Sequence, residues 1–215
     1  RHTRYGTVTG VQDVCSSDLA SGKTSLLLTA AGLLRPGRGT LRLFGRDLAA
    51  VGEEEQVDDR RRIGFVYENG GRLLSHLSVY DNIALPLLYH SAADTATLLP
   101  QVDQALAGAE LSGCALLTPS RVNLRQQRRA SLLRALILPT EILFLDNPLG
   151  GLGLREERWW LDRLQELKTR GLTVVVGEND FRPWFGLADH FALVEGPAFR
   201  VITETRSEEH TSELQ

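Results

Sequence analysis

The chain has 215 residues, of which 42% are hydrophobic and 24% are charged, and its formal net charge is -3. A chain of this size and composition can bury a full core, and its slight negative charge gives no reason to expect nucleic acid as a partner. Its apolar runs fall short of the roughly 20 residues that a membrane helix needs, and its N-terminus lacks the plan of a secretory signal, so we expect a cytosolic protein.

Both ends of the chain resemble translated sequencing adapters. At the C-terminus, RSEEHTSELQ, residues 206–215, follows the start of a common library adapter codon by codon. Residues 1–19 match the opposite adapter once one extra base is allowed. We therefore expect the biological sequence to run from Ala20 to Thr205, with the strands ahead of its first motif cut away. The alternative is a genuine N-terminal strand in RYGTVTGVQDV, where apolar residues alternate.

The first chemical motif is ASGKTS, residues 20–25. Gly-Lys-Thr ends a phosphate-binding loop, in which the lysine neutralises phosphate charge and the threonine hydroxyl binds Mg²⁺. The nucleotide-binding candidates are Ser21, Gly22, Lys23, Thr24 and Ser25. The first glycine of such a loop is missing, because Ser17 stands at its position. The alternative interpretation is an ordinary helix N-terminus with a surface lysine.

The predicted elements after this loop alternate between helix and strand. Apolar spacing predicts a helix over 25–34, ended by the Pro/Gly turn RPGRGT, and then a strand at TLRLFG. The charged run at 49–62 is predicted as a helix or loop, and IGFVY is typical of a buried strand. Over residues 75–139 the pattern is mostly helical.

The alternation of strand and helix resumes after this helical stretch. The predicted order is strand EILFLD, helix REERWWLDRLQELKTRG, strand LTVVVG, helix FRPWFGLAD and strand HFALVEG. Strands that alternate with helices predict a parallel sheet whose ligand lies at the carboxyl ends of the strands. We therefore expect an α/β fold: a P-loop NTPase core in two parts, 20–74 and 140–205, with an inserted α-helical subdomain at 75–139.

The second chemical motif is ILFLDNP, in which four apolar residues lead to Asp146 at a strand end. A carboxylate at this place reaches the coordination shell of Mg²⁺ in nucleotide-binding proteins. The alternative is an aspartate that caps the next helix ahead of Pro148. Both motifs in this order indicate a nucleoside-triphosphate site, with ATP and Mg²⁺ as cofactors and with Thr24 and Asp146 as metal ligands.

Longer segments resemble the ATP-binding subunit of an ATP-binding cassette (ABC) transporter over residues 20–201. RRIGFVYENGGRLLSHLSVYDNIALPLL is similar to that family's Q-loop and to the start of its helical subdomain. QQRRASLLRAL resembles the helix after its signature motif, EILFLDNPLGGLG its Walker B motif and D-loop, and TVVVGENDF its switch-histidine region. The resemblance implies a dimer of ATP-binding subunits, identical or different, and a membrane permease as partner. It also implies a peripheral position at the cytoplasmic face of the membrane.

Several positions depart from the family pattern. The Q-loop glutamine is replaced by Glu68, and the catalytic glutamate by Asn147. The switch histidine falls on Asn179 and the D-loop aspartate on Gly153. An amide cannot take a proton from attacking water as a carboxylate can, and loss of a general base costs on the order of 100- to 10,000-fold. We therefore expect ATP hydrolysis to be weak or absent.

The signature motif LSGGQ, which in the family contacts nucleotide across the dimer, falls on residues 122–126, here called the signature segment. The family's serine and both glycines are replaced in it. The residues at the signature positions are Asn123, Leu124, Arg125 and Gln126. We expect this half of the dimer site to close abnormally.

Three functions are consistent with these residues. The first is an ABC transporter ATP-binding subunit that drives a permease. The second is a catalytically silent nucleotide-binding partner, regulatory or structural, of an active subunit. The third is a truncated fragment without function.

Two further pairs of residues have structural interpretations. Trp159 and Trp160 lie in an amphipathic helix, and we expect at least one of them in the core. Arg128 and Arg129 follow the signature segment, and we expect them on a solvated face.

Overall fold

The structure is a computed structural model that describes residues 13–16, 22–68, 72–90, 95–195 and 198–203. Most of the two predicted adapter segments lies outside these residues, and so does Ser21. The adapter origin of 1–19 and 206–215 therefore stays a prediction.

The strands of the described residues form a six-stranded sheet and a two-stranded hairpin. In chain order they are β1 (Asp13–Ser16), β2 (Arg42–Leu43), β3 (Arg46–Asp47), β4 (Ile63–Val66), β5 (Ile142–Asp146), β6 (Thr173–Glu178), β7 (His190–Glu195) and β8 (Ala198–Thr203). The sheet has the order β4-β5-β6-β1-β7-β8. Neighbouring strands are parallel except for the antiparallel pair β7 and β8. The predicted parallel sheet is confirmed, with an antiparallel strand at one edge.

Strand β1 lies in the middle of this sheet. Its backbone pairs with β6 on one side and with β7 on the other, parallel to both. Its four residues belong to the segment predicted to be adapter. The described chain thus does contain a strand ahead of Gly-Lys-Thr, while the origin of these residues stays a prediction.

The helices of the described residues agree with the predicted pattern at six places. They are α1 (Lys23–Ala30), α2 (Glu53–Arg61), α3 (Val79–His90), α4 (Thr95–Gly108), α5 (Leu124–Leu136) and α6 (Leu154–Thr169). The helix expected near FRPWFGLAD is wrong, because only a short 3-10 turn forms there, at Arg182–Trp184. Pro183 lies within that turn and Gly186 closely follows it, and both residues disfavour continuation as a helix.

A strand forms within TLRLFG as predicted, but it has only the two residues of β2. The chain turns back after β2 and pairs with β3, which follows it at once. Phe44 and Gly45 form this turn at φ angles of 50° and 78°. Two successive residues with positive φ make the tight turn of a hairpin, and an extended strand cannot contain them.

Two large apolar clusters make up most of the interior of the described residues. The first joins β4, β5 and β6 to one face of α6, with Trp160 and Trp184 fully buried in it. The second lies among α3, α4 and α5. Trp159 packs against both clusters. The prediction that at least one of the two tryptophans of α6 lies in the core is confirmed, because Trp160 is fully buried. The predicted boundaries of a helical subdomain, at residues 75 and 139, stay a prediction.

The register of the parallel strands determines which residues meet at their carboxyl ends. Val66 of β4 lies beside Leu145 of β5, and Asp146 lies beside Gly177 of β6. Helix α1 packs on these strands with Leu27 against Gly177, where an added Cβ would come within 2.7 Å of the Leu27 side chain. Glycine at this place lets the start of α1 approach the ends of β5 and β6 closely.

Candidate functional site

The start of α1 presents the residues of the first motif. Gly22 precedes the helix at a φ of 86°, a conformation that glycine adopts without strain. Lys23 opens the helix, and its Nζ donates a hydrogen bond of 2.7 Å to Oδ1 of Asn179. Ser25 is exposed on the first turn, where its carbonyl oxygen accepts from the Thr29 hydroxyl. The predicted phosphate lysine therefore contacts the residue at the switch-histidine position.

The two predicted metal ligands lie side by side. The Thr24 hydroxyl donates to Oδ2 of Asp146 over 2.9 Å. Burial raises the pKa of Asp146, and the charge of Glu68 raises it further, against the Thr24 hydrogen bond and the charges of Lys23 and Arg72, which lower it. A carboxylate whose ionised form is disfavoured by burial and by a like charge is stabilised by a bound cation.

The oxygen atoms gathered here suit Mg²⁺. That ion binds proteins through a few hard oxygen ligands and keeps water and phosphate oxygens in its remaining positions. Thr24 and Asp146 supply a hydroxyl and a carboxylate within hydrogen-bond distance of each other. Within the described part of the chain, no group of three or more His, Cys, Asp or Glu side chains is placed to hold a metal. The residues present therefore fit a magnesium ion that is shared with a nucleotide.

The next pair joins the Q-loop position to the catalytic-glutamate position. Nδ2 of Asn147 donates to Oε1 of Glu68 over 2.6 Å. Asn147 has a φ of 47°, in the left-handed region that asparagine tolerates better than most residues. Its backbone N–H donates to the carbonyl of Gly177 over 2.7 Å. The backbone of Asn147 is thus fixed against β6 while its side chain contacts Glu68.

Six predicted residues therefore meet at the carboxyl ends of the strands. We call them the nucleotide group: Lys23, Thr24, Glu68, Asp146, Asn147 and Asn179. Three side-chain hydrogen bonds pair them, and the pairs are linked through the adjacent residues 23 and 24 and through 146 and 147. The grouping joins residues that are up to 156 positions apart in the chain.

The signature segment has a different role in the structure. Oδ1 of Asn123 accepts from the backbone N–H of Gln126 over 2.9 Å, and Oε1 of Gln126 accepts from the backbone N–H of Asn123 over 3.0 Å. This reciprocal pair is a capping box at the start of α5. Leu124 is partly exposed, and Arg125 lies 4.0 Å from Glu156. The hydrogen bonds of these positions stabilise the start of a helix.

The expectation that Arg128 and Arg129 lie on a solvated face is wrong. Each has 3% of its surface exposed. Arg129 makes two hydrogen bonds of 2.7 Å to the carboxylate of Glu156, and its guanidinium lies 3.9 Å from the ring centre of Trp159. Arg128 donates to the carbonyl of Pro148. Helix α5 packs between other elements, so buried partners replace the solvent around both arginines.

The burial of Glu178 was not anticipated from the sequence. Glu178 ends β6 with 3% of its surface exposed, and it accepts hydrogen bonds from the backbone N–H groups of Leu149 and Asn179. Burial raises the pKa of Glu178 to about 7, although those hydrogen bonds and the charge of Arg128 lower it. A glutamate directly after the apolar run TVVVG was the one available signal in the sequence. Glu178 ties the loop after β5 to the loop after β6.

No helix among the described residues is both long and apolar enough to cross a membrane.

Comparison with known proteins places these residues in a family context. Residues 20–150 match the family described as ABC transporter. The sulfate/thiosulfate import ATP-binding protein CysA of Mycobacterium tuberculosis is 34% identical over 196 residues, which cover 90% of this chain and 53% of the relative. The intermembrane phospholipid transport system ATP-binding protein MlaF of Escherichia coli is 29% identical over 170 residues, which cover 79% of this chain and 63% of the relative. The chain spans about half the length of the sulfate/thiosulfate import relatives that it matches.

Solved structures show the same architecture. A dimeric structure of the bacterial ABC transporter cassette MJ0796 superposes with a TM-score of 0.83 and 24% identity, over 93% of this chain and 88% of that one. The cbiO1 protein of Clostridium perfringens, part of the ABC transporter complex cbiONQ, gives a TM-score of 0.79 at 20% identity, over 96% of this chain and 81% of that one. At these identities the likeness establishes the fold.

Proposed function

The chain belongs to the ABC transporter family, and from that premise we propose that it is an ATP-binding subunit that binds Mg-ATP at the nucleotide group. The observation that carries the proposal is the hydrogen bond between Thr24 and Asp146 beside Lys23. The ammonium of Lys23 would neutralise the β- and γ-phosphates of ATP. Thr24 and Asp146 would hold Mg²⁺, which supplies charge neutralisation to the phosphates when bound.

We propose that hydrolysis at this site is slow or absent. Asn147 and Asn179 present amides at the positions where the family has its catalytic glutamate and its switch histidine. An amide donates and accepts hydrogen bonds but takes no proton at neutral pH. The capping box of the signature segment uses Asn123 and Gln126 for helix stabilisation, which leaves these groups less able to contact a phosphate across a dimer.

We further propose that the chain pairs with a second ATP-binding subunit and with a membrane permease at the cytoplasmic face. The dimeric MJ0796 structure and the transport systems named for CysA and MlaF support these partners. Exposed apolar side chains after the Q-loop position supply a surface that a permease could cover: Leu74, Leu85, Leu88 and Tyr89. Tyr89 is the most exposed of these, at 79%.

A silent nucleotide-binding partner is the second candidate function. The two amides at positions 147 and 179 favour it, because a subunit without a proton acceptor can still bind nucleotide through Lys23, Thr24 and Asp146. Such a subunit would regulate or complete a dimer whose other half turns over ATP. The two candidates differ in one measurable property, the steady-state release of phosphate.

The test is to measure Mg-ATP binding by titration calorimetry and phosphate release from radiolabelled ATP on one preparation. An ABC ATPase with an intact Walker B glutamate is assayed in parallel. We expect this chain to bind Mg-ATP saturably and to release phosphate about 100-fold or more slowly than that comparator does. Binding with no release at all selects the silent partner. Absence of binding, or release as fast as in the comparator, contradicts the proposal.

A further inference from the structure

We propose that Glu68 is the catalytic carboxylate of this chain, and that the acid and the amide of the family's active site have exchanged positions between residues 68 and 147. The inference rests on the proposed function, because it concerns the residual hydrolysis of ATP at the nucleotide group. Glu68 takes the proton of the attacking water, and Asn147 is its positioning residue.

The sheet register brings the two positions together. Strands β4 and β5 are parallel neighbours, with Val66 beside Leu145. Glu68 and Asn147 each follow these paired residues by the same number of positions, so they leave the sheet side by side. The closeness of the two side chains therefore follows from strand pairing and does not depend on a chance rotamer.

The lengths and contacts of the two side chains are consistent with this exchange of positions. Asparagine is one methylene shorter than glutamate, so the side chain of Asn147 cannot reach as far as a catalytic glutamate at that position. The carboxylate of Glu68 lies within hydrogen-bond distance of this side chain, with Oε1 2.6 Å from Nδ2 of Asn147. A carboxylate is thus present next to the side chain at position 147.

Local contacts hold Asn147 in place. Its backbone N–H donates to the carbonyl of Gly177, and its φ is 47°. Gly150 leaves the space that this side chain occupies, because a Cβ at position 150 would lie 2.5 Å from Oδ1 of Asn147. The hydrogen bond to Glu68 therefore has one fixed partner and one exposed partner.

Glu68 lies close to the metal-binding residues. Its hydrogen-bond partner Asn147 directly follows the predicted magnesium ligand Asp146 in the chain. Glu68 is exposed, so a proton received there passes to solvent. A general base needs both of these properties: nearness to the reacting phosphate and a route for the proton to leave.

The reaction is a phosphoryl transfer from ATP to water. The oxygen of a water molecule forms a bond to the γ-phosphorus of ATP while one of its protons passes to the Glu68 carboxylate. The bond from that phosphorus to the β,γ-bridging oxygen breaks, and ADP leaves with the electron pair. Glu68 then releases the proton to solvent, and the products are ADP and inorganic phosphate.

The experiment compares four forms of the chain: the native sequence, Glu68→Gln, the exchanged double variant Glu68→Gln with Asn147→Glu, and the control Glu54→Gln. Glu54 is an exposed glutamate of α2 outside the nucleotide group. Phosphate release from radiolabelled ATP and the Kd for Mg-ATP are measured for each, and circular dichroism checks folding. The Kd for Mg-ATP distinguishes two causes of a slower reaction: loss of a metal ligand weakens binding, whereas loss of a base leaves binding nearly unchanged.

The inference expects Glu68→Gln to lower phosphate release by on the order of 100-fold or more with the Kd for Mg-ATP changed less than about threefold. The double variant regains release to within about tenfold of the native rate or exceeds it, because its carboxylate now stands at position 147. Glu54→Gln matches the native chain in both measurements.

Four results overturn the inference. If Glu68→Gln leaves phosphate release unchanged, Glu68 has no part in catalysis. A Kd that weakens in proportion to release makes Glu68 a metal ligand. A double variant as inactive as Glu68→Gln contradicts the exchange of positions. A native chain that binds Mg-ATP without hydrolysing it has no base at all, yet it leaves the proposed binding function intact; that function fails only if Mg-ATP does not bind.

Discussion

The start of α1 and the start of α5 differ in what each keeps of the family pattern. At α1, Lys23 and Thr24 keep the expected residues, and their side chains reach Asn179 and Asp146 across the sheet. At α5, Asn123 and Gln126 keep a helix start, but their side chains bond each other's backbone. A segment can thus preserve its secondary structure through capping alone while its ligand-binding chemistry is replaced.

The largest expected effect on stability comes from the buried ion pair that joins α5 to α6. We expect Arg129→Ala to lower the free energy of unfolding by about 3–5 kcal/mol, because Glu156 would remain buried without its bidentate partner. Urea unfolding measures it. Arg163→Ala is the matched control, since its pair with Glu166 lies at the surface and contributes about 0–1 kcal/mol. Equal losses in both variants would show that the buried pair does not anchor α5.

At α1 the expected effect is on nucleotide affinity. We expect Lys23→Ala to weaken Mg-ATP binding by about 10- to 100-fold, since a hydrogen bond to a charged group contributes about 1.5–3 kcal/mol. Titration calorimetry measures it, with the exposed cation Arg38 replaced by alanine as the control. If Lys23→Ala binds as tightly as Arg38→Ala, the lysine has no contact with the phosphates.

Glu178 makes the stability of the folded chain depend on pH. Its pKa of about 7 lies above its ordinary value of 4.5, so the folded chain binds more protons than the unfolded chain between these pH values. Its contribution to stability is present below pH 4.5 and is lost as the pH rises through 7, by up to about 1.4 kcal/mol per pH unit.

Glu178→Gln removes this titration. We expect the variant to gain stability relative to the native chain as the pH rises from about 5 to about 8 in urea unfolding series, because its side chain stays neutral. Arg128 and Asp180 act on Glu178 from α5 and from the following loop, and both are kept in the variant. A difference that is flat across this range would mean that Glu178 titrates at its ordinary pKa.

The smallest expected effect is at the helix cap. We expect Asn123→Ala to cost about 0.5–2 kcal/mol of unfolding free energy, because the N–H of Gln126 loses its acceptor. Asn123→Ser retains a capping oxygen and should stay within about 0.5 kcal/mol of the native chain. Thermal unfolding of both variants decides whether the signature segment serves as a cap, and equal stability of the two variants contradicts that role.

Much of the sheet could be predicted from the sequence, because its strands are short apolar runs with turn signals at their ends. IGFVY and EILFLD are such runs, and β4 and β5 lie within them. The hairpin at β2 and β3 could not be predicted, since it depends on the positive φ of Phe44, a residue type that rarely adopts it.

The candidate site was predictable where a motif fixes both the residue type and the place. Lys23, Thr24 and Asp146 are of this kind, because a helix start and a strand end bring them to one edge of the sheet. Glu178 and Arg128 were not, because their burial depends on how α5 and the loop after β5 pack over β6. Sequence spacing alone shows a charged residue without showing what covers it.

The most direct test of the account is to titrate ATP into the native chain and into Asp146→Asn, with Mg²⁺ present and with Mg²⁺ chelated. Asparagine keeps an acceptor for the Thr24 hydroxyl and removes only the charge. We expect Mg²⁺ to strengthen ATP binding to the native chain by on the order of tenfold or more, and we expect this gain to be largely lost in Asp146→Asn. Equal strengthening by Mg²⁺ in both chains, or none in either, would contradict a magnesium-nucleotide site at Thr24 and Asp146.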